Sequence, residues 1–344
     1  MQDRLAADYG LWAASHTRGE LPAIRAFAEA FLSDVATRPD SPEAGVAHRI
    51  LGSTHWFAGE YRQARSHLKK ALALFKPGRD DDLALRFGHD VGVAAMLILG
   101  LVLWPLGDVE RAISHVGSAE ARTSGLTYIG ARAYGTMWAA MFKLMRGDLA
   151  RAALNAVELV RLAREHDLPQ WRAFGLFLEG AATADGRALG EGLTDMRRGV
   201  ELLREQKVLF FDGLIRIALA EAEERAGDGD RALAVLDEAL ATSERTGHCT
   251  FDAELNRIRG EMLLRRDPAN PAPAIAALGR AMQIAGGQGT RSFGLRAALS
   301  LAKLYQSTAR PADAHAVLEP ALEGFAPTPE MPETAEAQVL LKQL

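Results

Sequence analysis

The chain repeats an amphipathic pattern in which apolar positions recur three and four residues apart, in pairs of segments separated by a short turn. Between residues 47 and 58 this spacing places small and apolar side chains on one face of an α-helix. The pattern stops at Gly59 and resumes from Tyr61, with Ala64 and Leu68 on the new apolar face. Two such helices joined by so short a turn pack as antiparallel neighbours, so the stretch predicts a helical hairpin.

The same turn returns roughly every forty residues along the chain. Its glycines are Gly19, Gly59, Gly107, Gly147 and Gly227, with looser versions near Asp185-Gly186 and Ala309-Arg310-Pro311. Small, large and small residues follow at constant offsets, as in Ala64-Leu68-Ala71, Ala112-Val116-Ala119, Ala232-Leu236-Ala239, Ala274-Leu278-Ala281 and Ala314-Leu318-Ala321. A hairpin repeated at a fixed period predicts a solenoid, because each unit buries its apolar face against its neighbours.

This arrangement around a glycine turn resembles the tetratricopeptide (TPR) repeat. We therefore predict an all-α fold, a right-handed α-solenoid of about eight TPR-like hairpins followed by a C-terminal capping helix. The hairpins are expected at about 3–37, 42–75, 89–125, 128–167, 169–206, 210–246, 252–287 and 292–324, and the cap at 332–344, within one superhelical domain over 1–344. In the cap, Ala335, Val339, Leu340 and Leu344 would cover the last hairpin.

Composition narrows the classes of partner. Hydrophobic residues make up 48% of the chain and aromatic residues 7%, which favours packed helices over strands. The net charge of −4 provides no basic surplus for a nucleic-acid backbone, so we expect no nucleic-acid partner. The most apolar run, 91–106, is interrupted by Gly92, Gly100 and Pro105, so we expect no membrane span. A single cysteine, Cys249, fits a reducing compartment, and we expect a cytoplasmic location.

The sequence lacks the patterns that catalysis would need. It has no phosphate-binding Gly-x-x-x-x-Gly-Lys-Ser/Thr loop and no His-Glu-x-x-His pair. His48 and His55 are seven residues apart and are interpreted as packing or surface residues rather than metal ligands. In Gly227-Asp228-Gly229-Asp230 we expect Asp230 to cap the next helix. We therefore predict a protein that is not an enzyme and has no cofactor or metal.

Several stretches carry a closer resemblance. They are Pro42-Glu43-Ala44-Gly45, Ala47-His48-Arg49, Phe57-Ala58-Gly59-Glu60-Tyr61, Arg86-Phe87-Gly88-His89-Asp90 with Gly92-Val93, Ala253-Glu254-Leu255-Asn256-Arg257 with Gly260-Glu261, and Leu295-Arg296-Ala297-Ala298 with Ser300-Leu301-Ala302. These resemble the C-terminal TPR region of large bacterial signalling regulators that also carry a class III adenylate/guanylate cyclase domain and an AAA-type ATPase domain. The resemblance implies a regulatory tail, with any cyclase or ATPase activity in upstream domains absent from this chain.

Arg86, His89 and Asp90 follow the longest connection, where a rigid scaffold often carries a binding loop. The favoured interpretation is structural, with Asp90 capping the next helix and Arg86 pairing with a carboxylate. The alternative is that this segment contacts the ATPase or cyclase portion, or folds over the edge of the groove.

Aromatic residues concentrate in the middle repeats, and most of them are interpreted as hairpin packing. Trp138, Trp171 and Arg172 are the candidates for a concave groove. Two functions remain open. One is an interaction scaffold for a protein or peptide, for upstream domains or for a second copy in a homodimer. The other is a sensory module that binds a small effector in the concave groove.

Overall fold

The computed structural model describes residues 2–184 and 186–344, with backbone alone for residues 2–4. Met1, in the predicted domain, and Asp185, in one of the predicted turns, lie outside the described residues. Throughout the described ranges the secondary structure is helical, with 18 α-helices, one 3₁₀ turn and no strand. The prediction of an all-α fold is confirmed.

The helices, in chain order, are α1 Gln2–Arg18, α2 Leu21–Val35, α3 Pro42–Phe57, α4 Tyr61–Leu74, α5 Leu83–Phe87, α6 Val91–Leu103, α7 Val109–Ser124, α8 Ile129–Met145, α9 Leu149–Glu165, α10 Pro169–Thr183, α11 Leu189–Glu205, α12 Asp212–Arg225, α13 Gly229–Thr246, α14 Asp252–Arg266, α15 Ala272–Gln288, α16 Arg291–Ser307, α17 Pro311–Leu322 and α18 Glu333–Leu341. Apart from α5 and α18 they form consecutive pairs, and each pair packs on the next. The predicted α-solenoid of helical hairpins is thereby confirmed. Its organisation as one domain over 1–344 stays a prediction.

Small residues let the paired helices approach. A Cβ atom on Gly52 of α3 would lie 2.6 Å from Leu68 Cγ of α4, closer than packed carbon atoms come. Between α10 and α11 the backbones themselves approach, since a Cβ on Gly180 would lie 2.6 Å from the carbonyl oxygen of Gly192. At the hairpin turns the backbone itself requires glycine, as at Gly59, whose φ is +71°.

The connection before α6 is more ordered than the sequence indicates. It contains the short helix α5, whose Phe87 is buried under the first hairpin. The Phe87 ring centroid lies 5.2 Å from that of Tyr9 and 6.1 Å from that of Phe31. The segment is therefore part of the core rather than a free loop.

The last helix, α18, packs on α16 and α17. Its buried residues are Thr334, Ala337 and Leu340, whereas Ala335 and Val339 are exposed. The predicted inner face was therefore correct at Leu340 and wrong at Ala335 and Val339. The helix begins at Glu333 with a rotation that turns the row 334, 337 and 340 inward.

The superhelix is wound so tightly that early hairpin turns contact late helices. Leu209 N donates to Thr17 O over 2.9 Å, Thr250 Oγ1 donates to Trp56 O over 2.8 Å, and Ser292 Oγ donates to Trp104 O over 2.6 Å. We call these contacts the first, second and third seams. They join the ends of α1, α3 and α6 to the starts of α12, α14 and α16. Early and late repeats are therefore in direct contact at these three places.

The most apolar helix is α6, and it spans 13 residues. A bilayer needs about 20 residues of helix. Among the described residues, no helix is both long enough and apolar enough to cross a membrane.

Candidate functional site

A cavity of about 160 Å³ remains beside the first seam, between α1, α3, α8 and α10. We call it the inner cavity. Its lining residues are Trp12, Ala13, His16, Thr17, Arg49, Ser53, His89, Tyr134, Trp138, Gln170, Trp171 and Phe210. The hairpin architecture thus gathers residues from six separate segments around one space, namely α1, α3, the segment before α6, α8, α10 and the segment before α12.

Arg49 is the charged residue of the inner cavity and is 2% exposed. Its Nη2 donates to Tyr9 Oη over 2.7 Å, and its guanidinium carbon lies 5.2 Å from the Tyr9 ring centroid and 5.0 Å from that of Trp12. Within the part of the chain that the structure describes, no carboxylate forms an ion pair with it. Because a buried charge without a counter-charge is costly, this arginine is an exception that needs a physical reason.

Among the described residues, four buried polar atoms of the cavity lining have no hydrogen-bond partner. They are Arg49 Nε, Trp138 Nε1, Ser53 Oγ and His16 Nε2. The arginine and tryptophan nitrogens can only donate, whereas the serine hydroxyl and a neutral histidine can donate or accept. Buried polar groups in folded proteins are nearly always paired, so these atoms need partners that the described residues do not supply.

The two histidines of the lining are held neutral. Burial, followed by the charges of His248, Arg49 and His89, lowers the pKa of His16 well below its usual value. Burial and then the Arg49 charge lower the pKa of His89 to about 3. At neutral pH Arg49 therefore carries the formal charge of the described lining.

Aromatic rings form the rest of the wall. The Trp138 ring centroid lies 5.2 Å from that of Tyr134 and 6.3 Å from that of Phe210. Tyr134 also meets Trp171 edge to face at 6.4 Å. The inner cavity therefore combines a cation and hydrogen-bond donors with an aromatic surface that can hold an apolar ring.

The structure brings together three of the six candidate residues. Trp138, Trp171 and His89 all line the inner cavity, with Trp138 fully buried and Trp171 partly exposed. Arg172 is exposed and lies outside the lining. Their roles in binding remain predictions.

The other two candidates have structural contacts. Asp90 Oδ1 accepts from Val93 N over 2.8 Å at the start of α6, and Asp90 Oδ2 pairs with Arg122 Nη2 at 2.6 Å. Arg86 Nη1 lies 3.2 Å from Glu43 Oε1. These are the cap and the ion pair of the favoured interpretation, while a partner-binding role for either residue stays a prediction.

Sequence reasoning did not select Arg49, Ser53, His16 or Trp12. A usable signal existed on α3, where Arg49 and Ser53 share a face with Val46 and Ile50 at helical spacing. A charged residue within an otherwise buried helix face marks either an ion pair or a ligand site. The partners of that face could not be identified without the fold, because they come from α1 and α8.

His48 and His55 of α3 both contact a third histidine, His67 of α4. His48 Nδ1 lies 3.0 Å from His67 Nδ1, and the rings of His55 and His67 are stacked with centroids 5.2 Å apart. Among the described residues, no group of three or more histidine, cysteine, aspartate or glutamate side chains is arranged to hold a metal ion.

A scan against models of known protein families finds no match. An uncharacterized protein of Rhizobium meliloti (strain 1021) is 27% identical over 248 residues, which cover 72% of this chain and 24% of that protein. The chain thus spans about a quarter of the length of this relative.

Solved structures with a similar fold are helical-repeat proteins. A Rap protein complexed with competence and sporulation factor aligns with a TM-score of 0.60 at 13% identity, over 99% of this chain and 97% of that chain. A monomeric IFIT1 mutant bound to m7Gppp-AAAA aligns with a TM-score of 0.51 at 14% identity, over 94% of this chain and 68% of that chain. At such low identity these likenesses establish the TPR-like fold alone.

Proposed function

We propose that this chain is a non-catalytic regulatory module that holds a small ligand in the inner cavity and communicates its presence to attached domains. TPR-like solenoids are binding modules, and the geometry favours a ligand site inside this one. The observation that carries the proposal is the group of four polar atoms around an aromatic-walled cavity that have no partner among the described residues. The alternative of an open groove for a long peptide is less favoured, since the three seams join early repeats directly to late ones.

The inner cavity is well placed to affect the superhelix. His16 lines it from α1, and its ring centroid lies 5.4 Å from that of Phe210, which lies next to the first seam. Leu209 and Thr17 form the seam hydrogen bond itself. A ligand that contacts His16 and Phe210 would stabilise the closed seam relative to any loosened state, because it binds only where both sides are present.

Thermal unfolding with a panel of small metabolites tests this proposal. A ligand at 100 times its dissociation constant is expected to stabilise the fold by about 2.7 kcal/mol. Tryptophan fluorescence is expected to change as well, because Trp12, Trp138 and Trp171 all line the inner cavity.

The Ser53→Leu variant tests whether the ligand occupies this cavity, because its larger apolar side chain fills the space. Ligand binding should be lost in this variant while its circular dichroism remains helical. A ligand that stabilises Ser53→Leu as much as the parent protein would contradict the cavity as its site.

A protein-contact role is the second candidate, and exposed apolar residues favour it. On α9, Leu154 is 73% exposed and Val157 is 61% exposed, one helical turn apart. The relative of which this chain covers 24% has further regions for such a surface to contact. In this role the chain is the cytoplasmic tail of a larger bacterial cyclase- or ATPase-type regulator and contacts upstream domains, another protein, a peptide or a second copy.

Charge substitution at this surface tests the second candidate. We expect Leu154→Glu with Val157→Glu to abolish association of the chain with a purified partner, measured by light scattering, because a desolvated carboxylate is unfavourable in an apolar contact. The control is Leu85→Glu, since Leu85 is 74% exposed on α5, away from this surface in the chain. Equal loss in the control, or full binding by the double variant, would exclude the α9 surface.

A further inference from the structure

We infer that the ligand of the inner cavity is a small organic monoanion, a carboxylate carried on a flat apolar ring, with the carboxylate held by Arg49, Ser53 and Trp138. The inference rests on the proposed function, because it assigns a chemical class to the ligand of that same site. The argument proceeds from the donors, the charge and the shape of the cavity.

The donors determine what the ligand must offer. Arg49 Nε and Trp138 Nε1 carry hydrogens that no group of the protein accepts, and neither atom can accept a hydrogen bond itself. Ser53 Oγ can supply a third donor. A ligand that satisfies all three needs an acceptor with several lone pairs, and the two oxygens of a carboxylate provide about four.

The charge points to an anion rather than a neutral acceptor. The guanidinium of Arg49 is always protonated, and it has an aromatic face and a tyrosine hydroxyl as neighbours in place of a carboxylate. A neutral amide or alcohol would leave this buried charge uncompensated. Hydrogen bonds between an arginine and a carboxylate are also about twice as strong as neutral ones.

The net charge of the described lining favours one negative charge over two. His16 and His89 face Arg49, and burial lowers the pKa of both, so neither adds a positive charge at neutral pH. A dianion such as a phosphate monoester would bring an unpaired second charge into the aromatic cavity. A monocarboxylate would leave the cavity neutral overall.

The shape selects a ring. An apolar cavity of about 150 Å³ can hold benzene, and the inner cavity has about 160 Å³. Tyr134, Trp138 and Phe210 provide ring faces and edges against which an aromatic ligand packs at 4.5–7 Å between centroids. Benzoate and indole-3-carboxylate are therefore suitable probes.

Calorimetric titration of the full chain with benzoate and indole-3-carboxylate, against the corresponding neutral amides, tests the inference. We expect each carboxylate to bind about 10- to 100-fold more tightly than its amide, because it alone brings a negative charge to the guanidinium of Arg49. Acetate and inorganic phosphate should bind more weakly than benzoate, since one lacks the ring and the other lacks a ring and carries additional charge.

Arg49→Met should remove the preference for the carboxylate while keeping much of the side-chain volume. The matched control is Arg132→Met on α8, because Arg132 pairs with Glu158 at 3.1 Å and lies outside the cavity lining. If Arg49→Met does not fold, Ser53→Ala and Trp138→Phe each remove one donor and retain most of the packing. Each should weaken benzoate binding about tenfold and benzamide binding by less, because the amide oxygen is a neutral acceptor.

The outcomes separate this inference from the proposed function. Preference for the carboxylates that disappears in Arg49→Met, and persists in Arg132→Met, supports both. If the amides bind as well as the carboxylates and Ser53→Leu abolishes both, the anion class is wrong while the cavity remains a ligand site. Absence of binding by every probe, together with a metabolite panel that leaves the melting temperature unchanged, would overturn both. Carboxylate binding that survives Arg49→Met unaltered would place the anion elsewhere and overturn the inference.

Discussion

Replacing Trp56 with alanine is expected to lower the free energy of unfolding by about 3–5 kcal/mol. Trp56 is fully buried at the second seam, where its ring meets those of Trp138, Phe211 and Phe251 at centroid distances of 5.7, 5.4 and 6.0 Å. Truncation would leave a cavity between surfaces that belong to distant repeats. Urea denaturation followed by circular dichroism measures the loss.

The control for Trp56→Ala is Leu85→Ala, a truncation at an exposed position that should change stability by no more than about 0.5 kcal/mol. If Trp56→Ala proves as mild as the control, the second seam does not form in solution. Small-angle scattering would then show a more open particle, because the early and late repeats would no longer be held together.

Gly192→Ala is expected to destabilise the fifth hairpin by about 1–3 kcal/mol or more, although alanine is the better helix former. The added Cβ would lie 2.6 Å from Ala184 N and 2.6 Å from the carbonyl oxygen of Gly180. Both neighbours are backbone atoms of the facing segment and cannot rotate away. The two helices would have to separate along their length, which would lower the thermal midpoint.

Gly190→Ala is the matched control, since it makes the same substitution two residues earlier in α11. A Cβ at Gly190 meets no atom within 4 Å, so the change should be neutral or stabilising by up to about 1 kcal/mol. Similar melting temperatures for the two variants would show that α10 and α11 are not in close contact.

The repeat could be predicted because it is a local property. Helical period, turn glycines and small residues such as Gly52 each act within one hairpin of about forty residues. The seams could not be predicted in this way. Thr250 and Trp56 are 194 residues apart, and the hydrogen bond between them ends on a backbone carbonyl that carries no sequence signature.

Only part of the candidate site could be predicted from the sequence, because its residues come from segments that are far apart in the chain. Trp138 and Trp171 attract notice as large residues on first helices, and His89 as part of a long connection. Arg49 distinguishes the inner cavity because, within the described structure, it is buried without a carboxylate as its ion-pair partner. The sequence offers many acidic residues that could have served as that partner.

Two smaller differences from the sequence-based expectation concern the start of α13 and the buried face of α18. The cap of α13 is Asp228, which accepts from Arg231 N over 3.0 Å, rather than Asp230. Helix α13 therefore begins two residues earlier than the sequence indicates. In α18, the residues that face inward are Thr334, Ala337 and Leu340. A shift of one or two residues leaves the helix in place but changes which side chain caps it and which side chains are buried.

The seams also bear on how the chain comes to be folded. In an ordinary solenoid each repeat contacts only its neighbours, so folding can start at any repeat and spread along the chain. The folding rate is then high, because most contacts join residues that are close in sequence. Here Trp56, near the end of α3, contacts Phe251, and Trp104, at the end of α6, contacts Phe293. These contacts can form only after the late repeats have been synthesised. During translation, we therefore expect Trp56 and Trp104 to lack these contacts until the late repeats have been made, so that part of their apolar surface stays uncovered in the meantime.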